Sequence, residues 1–346
     1  MAKTLKVGFI GTGGIAQAHL NAWGKCADTE IVALCDVSEK ALASSAEKAC
    51  VPAEKLFSDY HKMLDSVELD IVDVCTPNAM HAKPTIAALQ AGANVIVEKP
   101  AATSAREVEQ MIAAGQDAGK LLMVAQVMRY STEGQTLKSW IKQGLIGDIY
   151  WGRAEYLRRR GVPAWGAFID RTASGGGPCY DIGVHVLDLA LHLMDFPEPV
   201  TVSAGVYLKL ANKPSVMKHD PKQYTVPEDF AVALIRFADG RTLSLGASWA
   251  LNLAQELNQV LLCGTKGGIQ LSPVTLITEQ NGVLANATPQ VSQFDRADNF
   301  YNECCAFASA VKAGGPSPVP GEQALITQRI LDAVYKSGEK GREVKA

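Results

Sequence analysis

The first third of the chain alternates short apolar runs with stretches of helical periodicity. Apolar runs of strand length cover five segments, which are residues 5–11, 31–36, 69–76, 94–99 and 121–127. Helical patterns occupy three of the intervals, at residues 41–49, 83–92 and 105–119. Because buried strands that alternate with helices form a parallel sheet covered on both faces, this region is predicted to be a doubly wound α/β domain.

The pattern changes after about residue 125. Runs typical of strands cover residues 149–159, 229–250, 259–272 and 275–285, with Asp-Gly, Lys-Gly-Gly and Asn-Gly turns within or between them. Such turns favour hairpins, so the second sheet is predicted to be large, open and mainly antiparallel. Helices are predicted near residues 134–143, 181–194, 297–312 and 321–336.

These patterns predict two domains. An N-terminal Rossmann-type domain is expected at residues 1–125, and an α+β domain at 126–346, whose last helices could pack back on the first. The length of 346 residues agrees with two packed domains. One face of the hairpins is alternately apolar, and a face of that size seldom stays exposed in a monomer, so we expect an oligomer built on it.

Charge and hydropathy exclude several classes of function. The net charge of −3 gives no basic field suited to nucleic acid or to an anionic membrane surface. No apolar run approaches the ~18 residues of a spanning helix. The N-terminus turns into glycines before a secretory apolar region could form, so a cytoplasmic location is predicted.

Eight cysteines are scattered along the chain, at positions 26, 35, 50, 75, 179, 263, 304 and 305. They form no Cys-x-x-Cys motif and show no zinc-finger spacing with histidines, so no metal site is predicted. We expect reduced thiols that mostly serve packing. Cys179 differs from the others because it lies in a glycine-rich loop.

A Gly11-x-Gly13-x-x-Ala16 motif follows the first predicted strand and opens a helical pattern. Gly11 would permit a tight turn, Gly13 the approach of a pyrophosphate to the backbone, and Ala16 close helix packing. The N-terminus of the helix would favour the negative charge. This context predicts a dinucleotide site, whose turn also contains Thr12, Gly14 and Ile15.

Asp36 ends the second predicted strand. A carboxylate there can accept hydrogen bonds from the hydroxyls of the adenosine ribose and would repel a 2′-phosphate, so NAD is favoured over NADP. Ser38 and Lys40 weaken this preference. The alternative role for Asp36 is an N-cap of the next helix, which is compatible with ligand binding.

Three further segments complete a recognisable set, namely CTPNAMH at 75–81, VEKP at 97–100 and GGGPCYDIGVHVLDLALHLM at 175–194. With the glycine motif and Asp36, they resemble the Gfo/Idh/MocA oxidoreductase family, whose namesakes are glucose–fructose oxidoreductase and inositol dehydrogenase. The resemblance covers essentially the whole chain. It implies a nicotinamide cofactor, sugar or cyclitol substrates, a second α/β domain with a large open sheet, and frequent oligomers. The apolar face of the hairpins makes a homodimer or homotetramer the expected assembly.

The resemblance also implies roles for residues near the cofactor. Thr76, Pro77 and Asn78 match the loop beside the cofactor, and His81 matches the start of the following helix. Arg129 lies in a Met-Arg-Tyr segment that resembles the domain junction, where the family approaches nicotinamide and substrate.

Lys99 matches the catalytic lysine of the family. It ends a predicted parallel strand, and ligands bind outside the carboxyl ends of such strands. A lysine partly withdrawn from water there can accept a hydroxyl proton as hydride leaves, whereas the alternative is a snorkelling surface lysine. Glu98 points to the opposite side of the strand and is expected to be an orienting or cofactor-side group.

Asp181 and His185 match the pair that completes the acid/base site, and their spacing puts them on one face of a helix. Asp188 and His192 continue that face, but at ~1.5 Å per residue Asp181 and His192 are ~16 Å apart, too far for one small substrate. We assign Lys99 to the reacting hydroxyl, His185 as its partner in proton transfer and Asp181 as the positioning group. The ranking of Lys99 and His185 stays open.

Four side chains near the glycine-rich loop in sequence are candidates for substrate contact, namely Tyr156, Arg158, Trp165 and Tyr180. Trp165 could stack on a sugar ring, and Arg158 could meet hydroxyls or an acid. The alternative is that the arginines of residues 158–160 are interface or surface charges, since charge runs are usually solvated.

The predicted function is an NAD-dependent oxidoreductase that transfers a hydride between nicotinamide and a secondary alcohol of a sugar, glycoside or cyclitol. Two alternatives stay open. One is an NAD-dependent glycosidase that oxidises the sugar transiently and eliminates the aglycone, and the other is a non-catalytic NAD-binding sensor. The intact Lys99, Asp181 and His185 argue against the sensor.

Overall fold

The computed structural model describes residues 4–289 and 296–346. The chain forms two compact units, the first from Met1–Tyr130 with Asp295–Leu325 and the second from Ser131–Phe294 with Ile326–Ala346. It therefore returns to the first unit before it ends in the second. In the described part of the chain, no helix is both long and apolar enough to cross a membrane.

The α-helices are numbered in chain order. They are α1 (Ala16–Trp23), α2 (Glu39–Ala49), α3 (Tyr60–Ser66), α4 (Ala82–Gln90), α5 (Ala105–Ala118), α6 (Thr132–Lys142), α7 (Arg171–Ser174), α8 (Val184–Leu193), α9 (Arg296–Ala313) and α10 (Gly321–Lys340). Amphipathic helices bury one face. In α5 the buried positions Val108, Met111, Ala114 and Gly115 recur every three or four residues, as the sequence pattern predicts.

The first unit is built on a parallel sheet. Its strands are β1 (Leu5–Ile10), β2 (Thr29–Cys35), β3 (Leu56–Phe57), β4 (Ile71–Val74), β5 (Asn94–Glu98) and β6 (Leu122–Ala125). They lie in the order β3-β2-β1-β4-β5-β6, and all neighbours are parallel. The prediction of a doubly wound sheet is confirmed, and its strand order reverses between β1 and β4, where such sheets bind ligands.

A disulfide joins Cys26 to Cys305 within the first unit. The prediction of reduced cysteines is wrong for this pair, because packing of α9 against α1 brings together two Cα atoms 5.7 Å apart that are separated by 279 positions in the sequence. The other six cysteines are free thiols. Cys179 is buried, and burial raises the pKa of its thiol well above 9.0, so it serves packing, whereas Cys50 is exposed.

The second unit contains a nine-stranded sheet. Its strands are β7 (Ile149–Leu157), β8 (Pro199–Tyr207), β9 (Phe230–Phe237), β10 (Thr242–Ser248), β11 (Leu257–Gly264), β12 (Gly267–Gln270), β13 (Thr275–Gln280), β14 (Val283–Ala287) and β15 (Val344–Lys345). The order is β14-β13-β12-β11-β7-β10-β9-β8-β15. β7 and β10 pair in parallel and the other neighbours antiparallel, so the mainly antiparallel sheet is confirmed.

The two faces of this sheet differ in burial. Along β9 the residues Ala231, Ala233, Ile235 and Phe237 are buried and alternate with exposed residues. The buried face packs against α8, which is apolar on nearly all sides. On the outer face, Val232 and Leu234 remain 38% and 37% exposed.

Candidate active site

The glycine turn after β1 leaves open space at the protein surface beside its backbone. Gly11 has φ +90°, and a Cβ there would lie 2.6 Å from the carbonyl oxygen of Cys75, so only glycine fits. Gly13 and Gly14 are exposed, and a Cβ on either would meet no atom within 4 Å. Their openness, beside the N-terminus of α1, fits a pyrophosphate that approaches the backbone. Thr12 is buried within the turn, whereas Ile15 is 39% exposed.

Asp36 is fixed at the end of β2 by three hydrogen bonds. Its Oδ2 accepts from the backbone N–H of Thr12 at 2.7 Å and from the hydroxyl of Thr12 at 3.0 Å, and its Oδ1 accepts from the N–H of Ser38 at 2.8 Å. Ser38 caps α2 by accepting from the N–H of Ala41. Asp36 is therefore free of the N-cap role, and its half-buried carboxylate is tied to the glycine turn, which fits contact with the adenosine ribose.

His81 joins two loops at the carboxyl edge of the parallel sheet. Its Nδ1 lies 2.8 Å from the carbonyl oxygen of Pro100, and its Nε2 lies 2.7 Å from that of Thr76. Burial lowers the pKa of His81, with a partial offset from the two carbonyls. The structure thus sets His81 behind the loop that contains Pro77 and Asn78, where it positions the loop from inside.

Lys99 directly follows β5 and is half-buried. Its backbone N–H donates to Oε2 of Glu98 at 2.9 Å, while Oε1 of Glu98 lies 3.0 Å from Nε2 of His19. The carboxylate of Glu98 is turned into the core and is 6% exposed. Of the two roles expected for Glu98, this geometry supports the orienting one.

His19 lies between two carboxylates in the core of the first unit. Its Nδ1 is 2.8 Å from Oδ2 of Asp73, which also accepts from the indole N–H of Trp23 at 2.7 Å. Burial alone would lower the pKa of His19, but Asp73 and Glu98 outweigh it and raise the pKa well above 6.5. An imidazolium that donates from both nitrogens satisfies this arrangement.

The same cluster contains metal-ligand types. Ligand atoms of His19, Asp73 and Cys75 lie within 4.8 Å of one another. Hydrogen bonds already account for them, since the Cys75 thiol donates to Oδ1 of Asp73 at 3.2 Å. The cluster therefore works as a hydrogen-bonded support for Glu98. Arg129, the candidate from the Met-Arg-Tyr segment, is buried and donates to Oε1 of Gln323 at 2.6 Å, so its guanidinium is held within the first unit.

The second unit holds Asp181 and His185 at the start of a buried helix. Cys179–Gly183 forms one π-helical turn, and α8 continues from Val184. The predicted pair therefore spans a π-turn and an α-helix instead of one regular helix. Gly183 permits this packing, because a Cβ there would lie 2.8 Å from Cβ of Ala247 on β10. Single π-turns are frequent at functional sites.

Trp249 fixes the carboxylate of Asp181. The indole N–H of this fully buried tryptophan donates to Oδ2 of Asp181 at 3.0 Å. Both Asp181 and His185 remain half-buried. Asp181 thus combines partial access with a fixed orientation.

The four candidate substrate residues have different environments. Tyr180 is 3% exposed, and its hydroxyl donates to Asp332, so it belongs to the interior. Arg158 lies 5.2 Å from the centre of the Tyr156 ring and donates to the carbonyl of Gly161, so this arginine is held by its own unit.

Trp165 is the most open of the four. It is 68% exposed and meets the ring of Phe168 edge-on, at 6.5 Å between centroids. A cavity of about 440 Å³ lies beside it, lined also by Asp170, His219 and Gln223. An exposed indole beside a polar cavity fits the stacking role expected from the sequence.

Two family models match the chain. One, described as the oxidoreductase family with an NAD-binding Rossmann fold, matches residues 5–126, and the other, described as its C-terminal alpha/beta domain, matches residues 138–346. The chain belongs to the Gfo/Idh/MocA oxidoreductase family. The resemblance found in the motifs is thereby confirmed, and the protein is an oxidoreductase.

Named relatives of this Gfo/Idh/MocA protein act on sugars and cyclitols. D-glucoside 3-dehydrogenase of Escherichia coli (strain K12) is 34% identical over 348 residues, which cover 99% of this chain and 97% of that protein. Myo-inositol 2-dehydrogenase of Thermotoga maritima is 25% identical over 345 residues, covering 99% and 98%. Levoglucosan dehydrogenase, solved with NADH and L-sorbose, shares the fold with a TM-score of 0.86 at 24% identity over 99% of both chains.

Sequence reasoning missed the residues that support the site from inside. His19 lies one turn into α1, and its separation of 79 positions from Glu98 gives no local signal. Trp249 directly follows β10, and its position at the end of an apolar run indicates only a core residue. The one available indication was His19 itself, a histidine among the apolar residues of α1. A buried polar group needs a hydrogen-bond partner, so such a position indicates that a partner exists.

Proposed function

We propose that this protein is an NAD-dependent dehydrogenase that oxidises a secondary hydroxyl of a sugar or glycoside, or runs the reverse reduction. The observation that carries the proposal is Lys99 at the carboxyl end of β5, with its backbone fixed by Glu98. Such edges of parallel sheets bind ligands, and the glycine turn after β1 opens at the same edge.

The residues of the first unit fit the cofactor. Gly13, Gly14 and the N-terminus of α1 would hold the pyrophosphate, and Asp36 the hydroxyls of the adenosine ribose. The loop beside the cofactor would be formed by Thr76, Pro77 and Asn78. When bound, NAD accepts the hydride, and the protein supplies orientation and proton transfer.

NAD is proposed over NADP because of Asp36. Its carboxylate is fixed by Thr12 and Ser38 and cannot easily turn away from a 2′-phosphate. Like charges in such contact are unfavourable, so the phosphate would be rejected.

Lys99 is proposed to take the proton of the reacting hydroxyl at its Nζ. His185 is proposed as the partner in proton transfer and Asp181 as the group that positions and tunes it. Trp249 supports this role for Asp181 because its indole N–H fixes the orientation of the carboxylate.

A sugar or glycoside is proposed ahead of a cyclitol. The relative at 34% identity over nearly the whole chain is named a D-glucoside 3-dehydrogenase, whereas the inositol dehydrogenase is 25% identical. Trp165 offers an exposed indole for the apolar face of a pyranose ring.

A substrate panel tests the proposal. The protein is incubated with NAD and with aryl glucosides, free aldoses and inositols, while NADH absorbance and aglycone release are followed together. We expect NADH in proportion to a pyranoside consumed. Aglycone release without net NADH would instead establish the glycosidase, and NAD binding with neither product would establish the sensor.

We also propose that the protein assembles as a homodimer or homotetramer through the outer face of the nine-stranded sheet. Val232, Leu234 and Tyr207 on this face are each more than a third exposed. Burying them would remove apolar surface from water at ~25 cal/mol per Å².

A further inference from the structure

Glu228 is a fully buried carboxylate behind the glycine-rich loop of the second unit. Its Oε1 accepts the backbone N–H of Gly177 at 3.0 Å and that of Cys179 at 3.3 Å. The hydroxyl of Tyr335, on α10, donates to the same oxygen at 2.6 Å. Two backbone amides and one phenol therefore hold this side chain against the loop.

The glycines of the loop are required by this contact. A Cβ on Gly177 would lie 2.5 Å from the carbonyl oxygen of Glu228 and 2.9 Å from its Cδ. A Cβ on Gly176 would collide with the hydroxyl of Tyr335. Close approach to Glu228 and Tyr335, and not turn geometry, explains why these two positions are glycine.

Two routes connect this segment to Asp181. The carbonyl of Gly177 accepts the N–H of Asp181 at 3.1 Å, so the residue whose N–H is held by Glu228 holds Asp181 in turn. On the other side, the carbonyl of Asp229 accepts the N–H of Trp249 at 3.0 Å, and the Trp249 indole donates to Asp181. Glu228 and Asp229 are adjacent residues just before β9. Glu228 acts on the backbone of Asp181 through Gly177, and Asp229 acts on its side chain through Trp249.

We propose that Glu228 is a positioning residue that sets the orientation of Asp181, and with it the π-turn leading to His185, through the N–H of Gly177. This inference rests on the proposed function for its effect on turnover, because it takes Asp181 and His185 as acid/base groups. The positioning itself is a structural property that can be measured without turnover.

The charge of Glu228 gives the proposal a pH signature. Burial raises the pKa of Glu228 to about 7, against the opposing effect of its hydrogen bonds from Tyr335, Cys179 and Gly177. The titratable groups around it are Tyr335 on α10, Cys179 and Tyr180 in the loop, and Tyr224 before β9. Burial raises the pKa of each, so these four keep their protons while Glu228 titrates.

The test compares Glu228→Gln with Tyr224→Phe. Tyr224 donates to the backbone carbonyl of Glu228 at 2.5 Å, so Tyr224→Phe removes a buried hydrogen bond from the same residue without touching its carboxylate. We expect Glu228→Gln to lower kcat roughly ten-fold or more, since small displacements of catalytic groups are costly. KM for the sugar and Kd for NAD should change less than about two-fold, because this variant disturbs orientation rather than binding.

Two further readouts separate positioning from general stability. In wild type we expect kcat to fall as pH drops through about 7, because protonation weakens the carboxylate as an acceptor from Gly177 and Cys179. This inflection should disappear in Glu228→Gln and persist in Tyr224→Phe, whatever each variant does to the melting temperature. Amide hydrogen exchange in residues 175–185 should accelerate in Glu228→Gln and stay unchanged in the control. Tyr335→Phe keeps the carboxylate and therefore the inflection, but it should accelerate this exchange more weakly. Exchange in Tyr335→Phe replaces that of Glu228→Gln if Glu228→Gln fails to fold.

The outcomes distinguish this inference from the proposed function. A wild type that oxidises no sugar refutes the dehydrogenase, yet exchange in residues 175–185 still tests whether Glu228 positions Asp181. Unchanged exchange in Glu228→Gln and Tyr335→Phe, or an active Glu228→Gln with wild-type kcat and pH profile, overturns the positioning role.

Discussion

Nε2 of His19 lies 3.0 Å from Oε1 of Glu98, and both side chains are buried. The other oxygen of the same carboxylate accepts the backbone N–H of Lys99 at 2.9 Å. A buried histidine is therefore linked through one carboxylate to the backbone of the proposed acid/base. The link lies within the first unit. Its effect on stability is measured by unfolding, and its effect on turnover by kcat.

His19→Gln should destabilise the protein and slow turnover. It removes the cation between Asp73 and Glu98, and breaking a buried ion pair costs ~3–5 kcal/mol. We expect this loss in urea unfolding, together with a lower kcat and a nearly unchanged Kd for NAD. His61→Gln, at an exposed histidine on α3, is the control and should alter neither quantity.

The pH dependence of stability should also report on His19. Asp73 and Glu98 raise the pKa of His19 well above 6.5 despite the opposing effect of burial. A group whose pKa is raised by folding stabilises fully below its unfolded pKa, and this contribution is lost as pH rises through the folded pKa. Unfolding free energies measured from pH 6.5 upward should therefore fall in wild type relative to His19→Gln. Parallel curves for the two proteins would contradict the charged imidazolium.

Lys99→Met should leave NAD binding nearly intact and reduce the hydride-transfer step by ~10²-fold or more, the usual scale for losing a general acid/base. Single-turnover formation of NADH measures the step, and NAD titration measures binding. Lys62→Met, at an exposed lysine on α3, should behave as wild type. Near-normal single-turnover rates in Lys99→Met would show that the proton leaves by another group.

Asp36→Ser should weaken NAD binding and relieve the discrimination against NADP. The serine loses the carboxylate that accepts from Thr12 and Ser38, and with it the charge that repels a 2′-phosphate. Titration of both cofactors against both proteins measures the change. Wild-type protein that binds NADP ten-fold tighter than NAD would refute the assignment.

Val232→Glu with Leu234→Glu should dissociate the proposed assembly, because charges on the outer face cannot be buried without partners. Light scattering should then give a mass near 36.9 kDa, against a multiple of it for wild type. Val216→Glu, at a residue 86% exposed outside the sheet, is the control and should keep the assembly. Wild-type protein that scatters as a single chain at micromolar concentration rules the interface out.

The local pattern of the sequence was sufficient for most elements of the first unit, although β3 and α3 were not predicted. Residues 95–97 are apolar without interruption because strands of a parallel sheet are covered on both faces, and β5 ends within one residue of its predicted end. The glycine turn was equally readable, since Gly11 must adopt a positive φ whatever surrounds it. The selection of Lys99 as a candidate acid/base followed from its position at the end of a strand.

Other features depended on partners distant in sequence. β8 was not predicted, because its buried and exposed residues do not alternate regularly. The parallel pairing of β7 with β10 could not be predicted either, because neither strand has a sequence feature that specifies it. The disulfide of Cys26 with Cys305 required α9 to pack on α1.

The sequence by itself therefore determined most of the segments that become strands and helices and the residues at their ends, because periodicity and turn chemistry are local. Only the tertiary structure decided what holds those residues in place. Glu228 meets Gly177 across 51 positions, and His19 meets Glu98 across 79. A buried polar side chain must find a hydrogen-bond partner, but the choice of partner depends on how the elements pack, which no local pattern encodes.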